Sequence, residues 1–392
     1  MTRWSIPFTR VHLTGREIEY LREAVESRQL AGDGSFTRRC QRWLEQATGC
    51  HRALLTPSGT AALEIAAIVA GIEPGDEVIL PSFTFPSTAN AFVLRGATPV
   101  FVDIDAHTFN IDPGAVAAAV TPRTRAIVPV HYAGTLCDMD AIDAIARDAG
   151  AVVIEDAAQA LLSVRDSKPA GSFGALAALS FHQTKNITAG EGGAILINDS
   201  SLVARAEIVR EKGTDRSRFF RGEVDKYTWV DIGSSYLPGE LIAAFLLAQL
   251  EDAAKITAAR EAVWARYHQL LAPLEEEGVL VRPRELSQGA NAHIYSILLP
   301  SFADRMHVIE ELKRHGIGAV FHYVPLHSSP AGRKYGRTSG SLRVTDDVSE
   351  RLLRLPIWSG MSDEDVDLVT QSLGTALRAA RGQGVARLLP QM

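Results

Sequence analysis

Lysine is scarce in this chain: there are seven, at positions 168, 185, 212, 226, 255, 313 and 334, among 40 basic residues. An amine that could serve as nucleophile and proton carrier therefore has few candidates, and Lys185 has the most suggestive setting. It follows an apolar run in the segment Ser180-Phe-His-Gln-Thr-Lys185-Asn-Ile-Thr-Ala-Gly190-Glu-Gly-Gly193. If that run is a strand of a parallel sheet, the lysine starts at the carboxyl end, where such sheets bind ligands. A lysine there is a candidate Schiff-base amine; the plainer alternative is a surface lysine with a solvated head.

Two further segments make the first one chemically specific. Val152-Val-Ile-Glu155-Asp156-Ala-Ala-Gln159 ends a second apolar run in an acidic pair and then a glutamine. A buried carboxylate of this pair can keep a pyridine-type ring nitrogen protonated, and an amide such as that of Gln159 can bind an oxygen on the same ring. Taken alone, the acidic pair would read as a strand end and helix cap. Thr56-Pro-Ser58-Gly59-Thr60 is a hydroxyl-rich turn before the apolar stretch AALEIAAIVAG. A turn entering a helix N-terminus offers backbone N–H groups and a positive dipole end to a phosphate, although the same pattern by itself is most often only an N-cap.

The elements that must position these residues alternate. Apolar runs at 53–55, 77–80, 99–103, 126–130, 151–155, 177–180 and 193–197 read as seven strands, separated by helical patterns such as 59–69, 87–95 and 138–148. This is the pattern of βαβ units, so the expected class is α/β: a mostly parallel seven-stranded sheet with helices on both faces. From Leu241 a helical periodicity continues for some thirty residues, long enough to bridge two lobes. Beyond it, HIYSILLP reads as a strand, DRMHVIEELKRHG as a helix, GAVFHYVP as a short strand and VTDDVSERLLRL as a helix. The expected organisation is a large domain over 1–255, with an N-terminal arm, and a smaller α+β domain over 256–392.

Composition removes several function classes. The chain has 392 residues and a formal net charge of −6, which gives it no overall electrostatic reason to bind nucleic acid or anionic lipid. Its most apolar run, 241–250, is too short to span a bilayer, and the N-terminus has no apolar signal core, so a cytoplasmic enzyme is expected. Cys40, Cys50 and Cys137 are few and without CxxC spacing, and the histidines show no paired ligand spacing, so no metal is expected. Neither GxxxxGK[ST] nor a GxGxxG after a strand occurs, which argues against a P-loop site and against a nucleotide-sugar oxidoreductase or epimerase on a dinucleotide fold.

Together, Ser58-Gly59-Thr60, Glu155-Asp156-Ala-Ala-Gln159 and Ser180-Phe-His-Gln-Thr-Lys185-Asn with Glu191-Gly-Gly resemble the pyridoxal-phosphate sugar aminotransferases of the DegT/DnrJ/EryC1/StrS family, from about residue 5 to 378. The resemblance implies fold type I and pyridoxal 5'-phosphate as cofactor. It implies that Lys185 bears the cofactor and moves protons and that Asp156 pairs with the ring nitrogen. Gln159 would touch the ring oxygen, Ser58, Gly59, Thr60 and Ser180 would hold the phosphate, and Phe85 would stack on the ring. The implied reaction passes the amino group of L-glutamate to C4 of a dTDP-4-keto-6-deoxyhexose, with a galacto product, for surface polysaccharide synthesis. The lysine also distinguishes the chain from related dehydratases, which carry histidine there, and from a non-catalytic member of the same fold.

The resemblance further implies a homodimer with shared active sites. Many relatives place an asparagine on the neighbour's phosphate, whereas this chain has Ser235 in Gly233-Ser-Ser-Tyr236, a hydroxyl that can still bond a phosphate oxygen. The segment 213–229 interleaves arginines and Lys226 with Phe219, Phe220, Tyr227 and Trp229, which suits a nucleotide diphosphate with its flat base. Arg221, Lys226 and Tyr227 are the expected contacts to the nucleotide sugar.

Overall fold

The computed structural model describes residues 4–287 and 289–386. Its strands in chain order are β1 (Arg52–Thr56), β2 (Glu77–Pro81), β3 (Thr98–Val102), β4 (Thr124–Ile127) and β5 (Val152–Asp156), then a small hairpin of β6 (Val164–Arg165) and β7 (Lys168–Pro169), and next β8 (Leu176–Ser180) and β9 (Gly193–Ile197). Four more lie towards the C-terminus: β10 (Tyr295–Leu298), β11 (Val320–Phe321), β12 (Arg337–Thr338) and β13 (Leu352–Leu355). The large sheet runs β1-β9-β8-β5-β4-β2-β3-β12, and β10-β13-β11 form a second, small sheet. All seven expected strands are in the large sheet. The two-residue β12, which no apolar run announces, adds an eighth at the edge of β3.

In the large sheet only β9 runs against its neighbours. Alternation along each strand supplies two apolar faces. Leu54, Leu80 and Ile154 pack with the helices Gly59–Val69 and Pro86–Val93, while Ala53, Leu55, Leu179 and Leu196 pack with Ser35–Thr48 and Glu240–Glu251. Further along, Ile79, Val102 and Val153 meet the helices Pro113–Ala119 and Met139–Ala149. Register then sets out the chemistry. Thr56 and Ser180 both pair with Gly193, and Asp156 pairs with Ala178, so the ends of β1, β8 and β5 lie side by side along one edge.

The expected single long helix after Leu241 is two helices, Glu240–Glu251 and Ala253–Leu270, divided at Asp252. The division follows the burial each half needs. The first packs its apolar residues into the core under the large sheet, while Val263, Trp264 and Tyr267 of the second enter the core of the small lobe. The expected helix over 344–355 also changes at its end: helix gives way to strand after Arg351. Leu353 and Leu355 face the small-lobe core and Leu352 faces Phe83 and Tyr132, so β13 carries apolar residues on both faces, and its Leu-Leu-Arg-Leu continues the spacing of the helix before it. We propose the domain boundary at 255/256, within the first turn of Ala253–Leu270. Across that boundary the N-terminal segment reaches over to the C-terminal lobe, with Ile6 bridging to Ile317.

Candidate active site

At the carboxyl edge of the sheet a cavity of about 760 Å³ opens between the two lobes, large enough for a cofactor and a small substrate. Ser58, Gly59, Thr60, Phe85, Asp156, Gln159, Ser180 and Lys185, drawn from four separate stretches of sequence, all line it.

One corner is cut for an anion. The Ser58 hydroxyl accepts from the Ala61 N–H at 3.1 Å and caps the helix Gly59–Val69, whose first N–H groups have no partners within the helix. Thr60 and Ser87 share a hydroxyl contact of 2.7 Å. The two glycines here are required by close approach. A Cβ on Gly59 would stand 2.9 Å from the Ser180 Cβ, and one on Gly193 would stand 2.4 Å from the Ser58 carbonyl carbon. The space therefore depends on both lacking side chains, and the hydroxyl and N–H donors around it suit a phosphate.

The acidic pair at the end of β5 divides by strand alternation. Asp156 faces the cavity side: its Oδ2 accepts from the Thr88 hydroxyl at 2.7 Å and its Oδ1 from the Ala158 N–H at 3.2 Å. Thr88 in turn contacts the Thr84 hydroxyl at 2.8 Å. Glu155 points the other way and is fully buried. Its Oε1 accepts from the N–H groups of Phe173 and Gly174, and its Oε2 from Gly171 N–H and from His131. The Cys137 N–H points at His131 Nδ1 at 3.2 Å, which makes that nitrogen the acceptor and leaves Nε2–H to donate to Glu155.

Lys185 is half-buried as a residue, with its amine enclosed. Burial pushes that amine down to about 8; the Asp156 carboxylate works against the shift and the positive charge of Arg354 adds to it. An amine so placed is substantially neutral near pH 8, which is what a nucleophile or proton acceptor requires. Its loop is fixed by the next residue: Asn186 donates to the Asn291 carbonyl at 2.8 Å and meets His293 Nδ1 at 2.8 Å.

Gln159 lines the cavity and is already engaged. Its Oε1 accepts from Ala133 N–H at 2.7 Å, and one of its two amide N–H groups donates to the Tyr323 hydroxyl at 2.9 Å, leaving the other for a ring oxygen. Phe85 stands at the mouth, 59% exposed, immediately before the helix Pro86–Val93. Sequence reading did not single out Thr88, Tyr323 or Arg354, and it treated His293 and His322 as isolated histidines; all five line the cavity. Burial and nearby positive charge hold both histidines well below their usual value and therefore neutral. Thr88 alone had a local signal, as a hydroxyl at the first turn of a helix that follows a strand end.

The remaining expected contacts do not line this chain's own cavity. Ser235 is exposed, in a bridge with Glu211. Lys226 is exposed, and Tyr227 packs its ring 5.8 Å from Phe219. Arg221 is held in ion pairs by Glu207 at 2.8 Å and Glu223 at 2.6 Å. Among the described residues, no cluster of three or more His, Cys, Asp or Glu is placed to hold a metal, and no helix is long and apolar enough to cross a membrane.

Residues 12–374 match the model of the DegT/DnrJ/EryC1/StrS aminotransferase family. The chain belongs to this family. It is 36% identical over 370 residues to GDP-perosamine synthase of Caulobacter vibrioides, covering 93% of this chain and 96% of that one. It is 34% identical over 387 residues to a spore coat polysaccharide biosynthesis protein of Bacillus subtilis, covering 96% and 98%. A sugar aminotransferase from Streptococcus pneumoniae in its PMP form superposes with a TM-score of 0.89 at 27% identity, covering 97% of this chain and 99% of that chain. The same protein in its PLP form gives 0.86. The fold is that of the pyridoxal-phosphate aminotransferases, and the chain is an aminotransferase that uses pyridoxal phosphate.

Proposed function

We propose that the chain transfers the amino group of L-glutamate to C4 of a nucleotide-linked 4-keto-6-deoxyhexose, a dTDP sugar giving a dTDP-4-amino-4,6-dideoxyhexose of galacto configuration, in the cytoplasm. The observation that carries the reading is the enclosed Lys185 amine beside Asp156, in one cavity with a glycine-cleared anion corner, in a chain of this family.

When bound, pyridoxal phosphate supplies an electron sink that lets an amino group pass from donor to acceptor. The residues present fit it. Ser58, Thr60, Ser180 and the Gly59 N–H would hold its phosphate. Asp156, fixed by Thr88 and Ala158, would hold a proton on the ring nitrogen, and Gln159 would use its remaining N–H on the ring oxygen. Phe85 would cover the ring. Lys185 would bind the cofactor through Nζ and, once released, take the proton from the donor's Cα and deliver it where the new C–H bond forms.

We further propose a homodimer in which Ser235, Arg221, Lys226 and Tyr227 serve the neighbouring subunit's site, Arg221 exchanging Glu207 and Glu223 for a diphosphate. The test of substrate class is product analysis. Holoenzyme, glutamate and a panel of dTDP- and GDP-linked keto-sugars should yield an amino sugar from a 4-keto-6-deoxyhexose, and fastest from the dTDP-linked one. GDP belongs in the panel because the Caulobacter vibrioides relative is named for GDP-perosamine. Turnover of the GDP sugar alone would refute the dTDP assignment, and turnover of no keto-sugar would refute the function.

A further inference from the structure

Arg354 lies in β13, where Leu353 and Leu355 enter the small-lobe core, so alternation turns Arg354 to the opposite face with Leu352. That face looks towards Tyr132 and Tyr323, and the guanidinium lines the same cavity as Lys185. It has a covering from the N-terminal segment, with its Cζ 4.8 Å from the Phe8 ring centroid. Its Nη2 donates to the Phe321 carbonyl at 3.2 Å, while its buried Nε–H meets no acceptor.

The missing partner is an anion. The carboxylates lining the cavity are Asp156, held by Thr88 and Ala158, and Glu191, at the rim near His182. Among the described residues no ion pair joins either of them to Arg354. What surrounds the guanidinium is uncharged or positive: neutral His293 and His322, two tyrosines, Phe8, and the Lys185 amine, which its charge reaches. A planar fork of donors whose buried Nε–H has no acceptor, in an enclosed setting that lacks its own acid, is matched to a single carboxylate. A diphosphate carries more charge than one guanidinium balances; Arg260, the other arginine lining the cavity, gives its donors to the carbonyls of Ala292, His293 and Ile357, and the remaining basic groups suited to a diphosphate lie in the segment 216–226, outside this cavity.

We propose that Arg354 binds a carboxylate of the amino-acid donor and so orients the donor's amine towards Lys185. The inference rests on the transamination reading and adds the residue that recognises the donor. It is tested on the two half-reactions separately, with Arg354→Gln and Arg354→Lys holoenzymes followed by the cofactor's absorbance. Arg354→Gln is expected to raise the L-glutamate concentration for half-maximal bleaching by roughly thirtyfold or more. The sugar concentration needed when the PMP-loaded variant reacts with keto-sugar should stay within about threefold of wild type, since loss of a donor contact leaves that step untouched. Arg354→Lys, which keeps the charge and loses the fork, should fall between. An unchanged glutamate dependence overturns the inference and leaves the aminotransferase reading intact. A shift confined to the sugar assigns the guanidinium to the diphosphate and also overturns it, and equal losses in both halves with a lowered Tm make the role structural. Wild-type protein that no amino acid bleaches removes the reading and the inference together.

Discussion

The chemistry of Lys185 rests on its neighbours more than on its position in sequence. Its amine is pushed down to about 8 by burial, with Asp156 opposing and Arg354 assisting. In cofactor-free protein the neutral amine is therefore present around pH 8, where an ordinary lysine, with its pKa of roughly 10.4, is almost wholly protonated. The initial rate of pyridoxal phosphate uptake by apo-protein should rise with pH around a midpoint near 8; a midpoint above about 10 would mean that the amine is solvated. The sign for stability follows from the same depression. The unfolded state binds the extra proton between the lowered and the ordinary value, so Lys185 makes the apo-protein more stable as pH rises from about 8 to about 10.5. That rise should be absent in Lys185→Met, and its persistence there would assign it to another group. Lys185→Ala should abolish transamination while the chain stays folded, and borohydride should attach the cofactor to Lys185 and to no other lysine. The candidate lysine, the acid and the phosphate turn were legible because each sits beside a strand end. Arg354 and Tyr323 were not, because they arrive from the second lobe, far along the chain, and no local spacing connects them to Lys185.

At the scale of elements, Glu155 shows how a side chain that never touches the cavity can set its geometry. Its two oxygens accept four donors, two each, and tie β5 to the turn at 171–174 and to His131. Glu155→Gln would turn an amide NH2 against N–H donors on one side, leaving buried polar groups unpaired at a cost of about 3 kcal/mol or more. Urea unfolding should show that loss, and a difference within about 0.5 kcal/mol of wild type would contradict it. Sequence alone could not say which member of the Glu155–Asp156 pair faces the site, since alternation gives opposite faces but not which is which. It did place β1 to β5, β8 and β9 and the crossover helices between them, because each of those strands is a short apolar run flanked by turns, whereas β12 is Arg337–Thr338 and has no such run. It failed at 352–355, where a strand covered on both faces continues a helical periodicity, and at Asp252, where one periodic stretch serves two cores.

The whole molecule divides the expected site between the cavity and an exposed segment. Ser235, Arg221, Lys226 and Tyr227 lie outside the cavity formed by their own chain, and Phe220 and Trp229 beside them are 69% and 77% exposed. A second copy would cover that surface and bring the segment to a neighbour's site. Sedimentation should therefore show a dimer, and mixing a Lys185 variant with a variant of the 214–231 loop should restore part of the activity in hybrids. Verified subunit exchange without recovery would contradict shared sites. Arg221→Ala should raise the KM for the nucleotide sugar at least about tenfold, the loss of a desolvated arginine–phosphate contact, and leave the glutamate half-reaction nearly intact. If the pairs with Glu207 and Glu223 are its whole role, an exposed bridge contributes only about 0–1 kcal/mol and the KM will barely move.

The central claim is that Lys185, Asp156 and the anion corner form one pyridoxal-phosphate site that passes an amino group from glutamate to a keto-sugar. The most direct measurement is the visible spectrum of the purified holoenzyme through a single cycle. The account predicts an absorbance band that depends on Lys185, bleaching on addition of L-glutamate, and return of the band when dTDP-4-keto-6-deoxyhexose is added to the bleached enzyme. A band that glutamate leaves unchanged, or a bleached enzyme that no 4-keto-sugar restores, would contradict it.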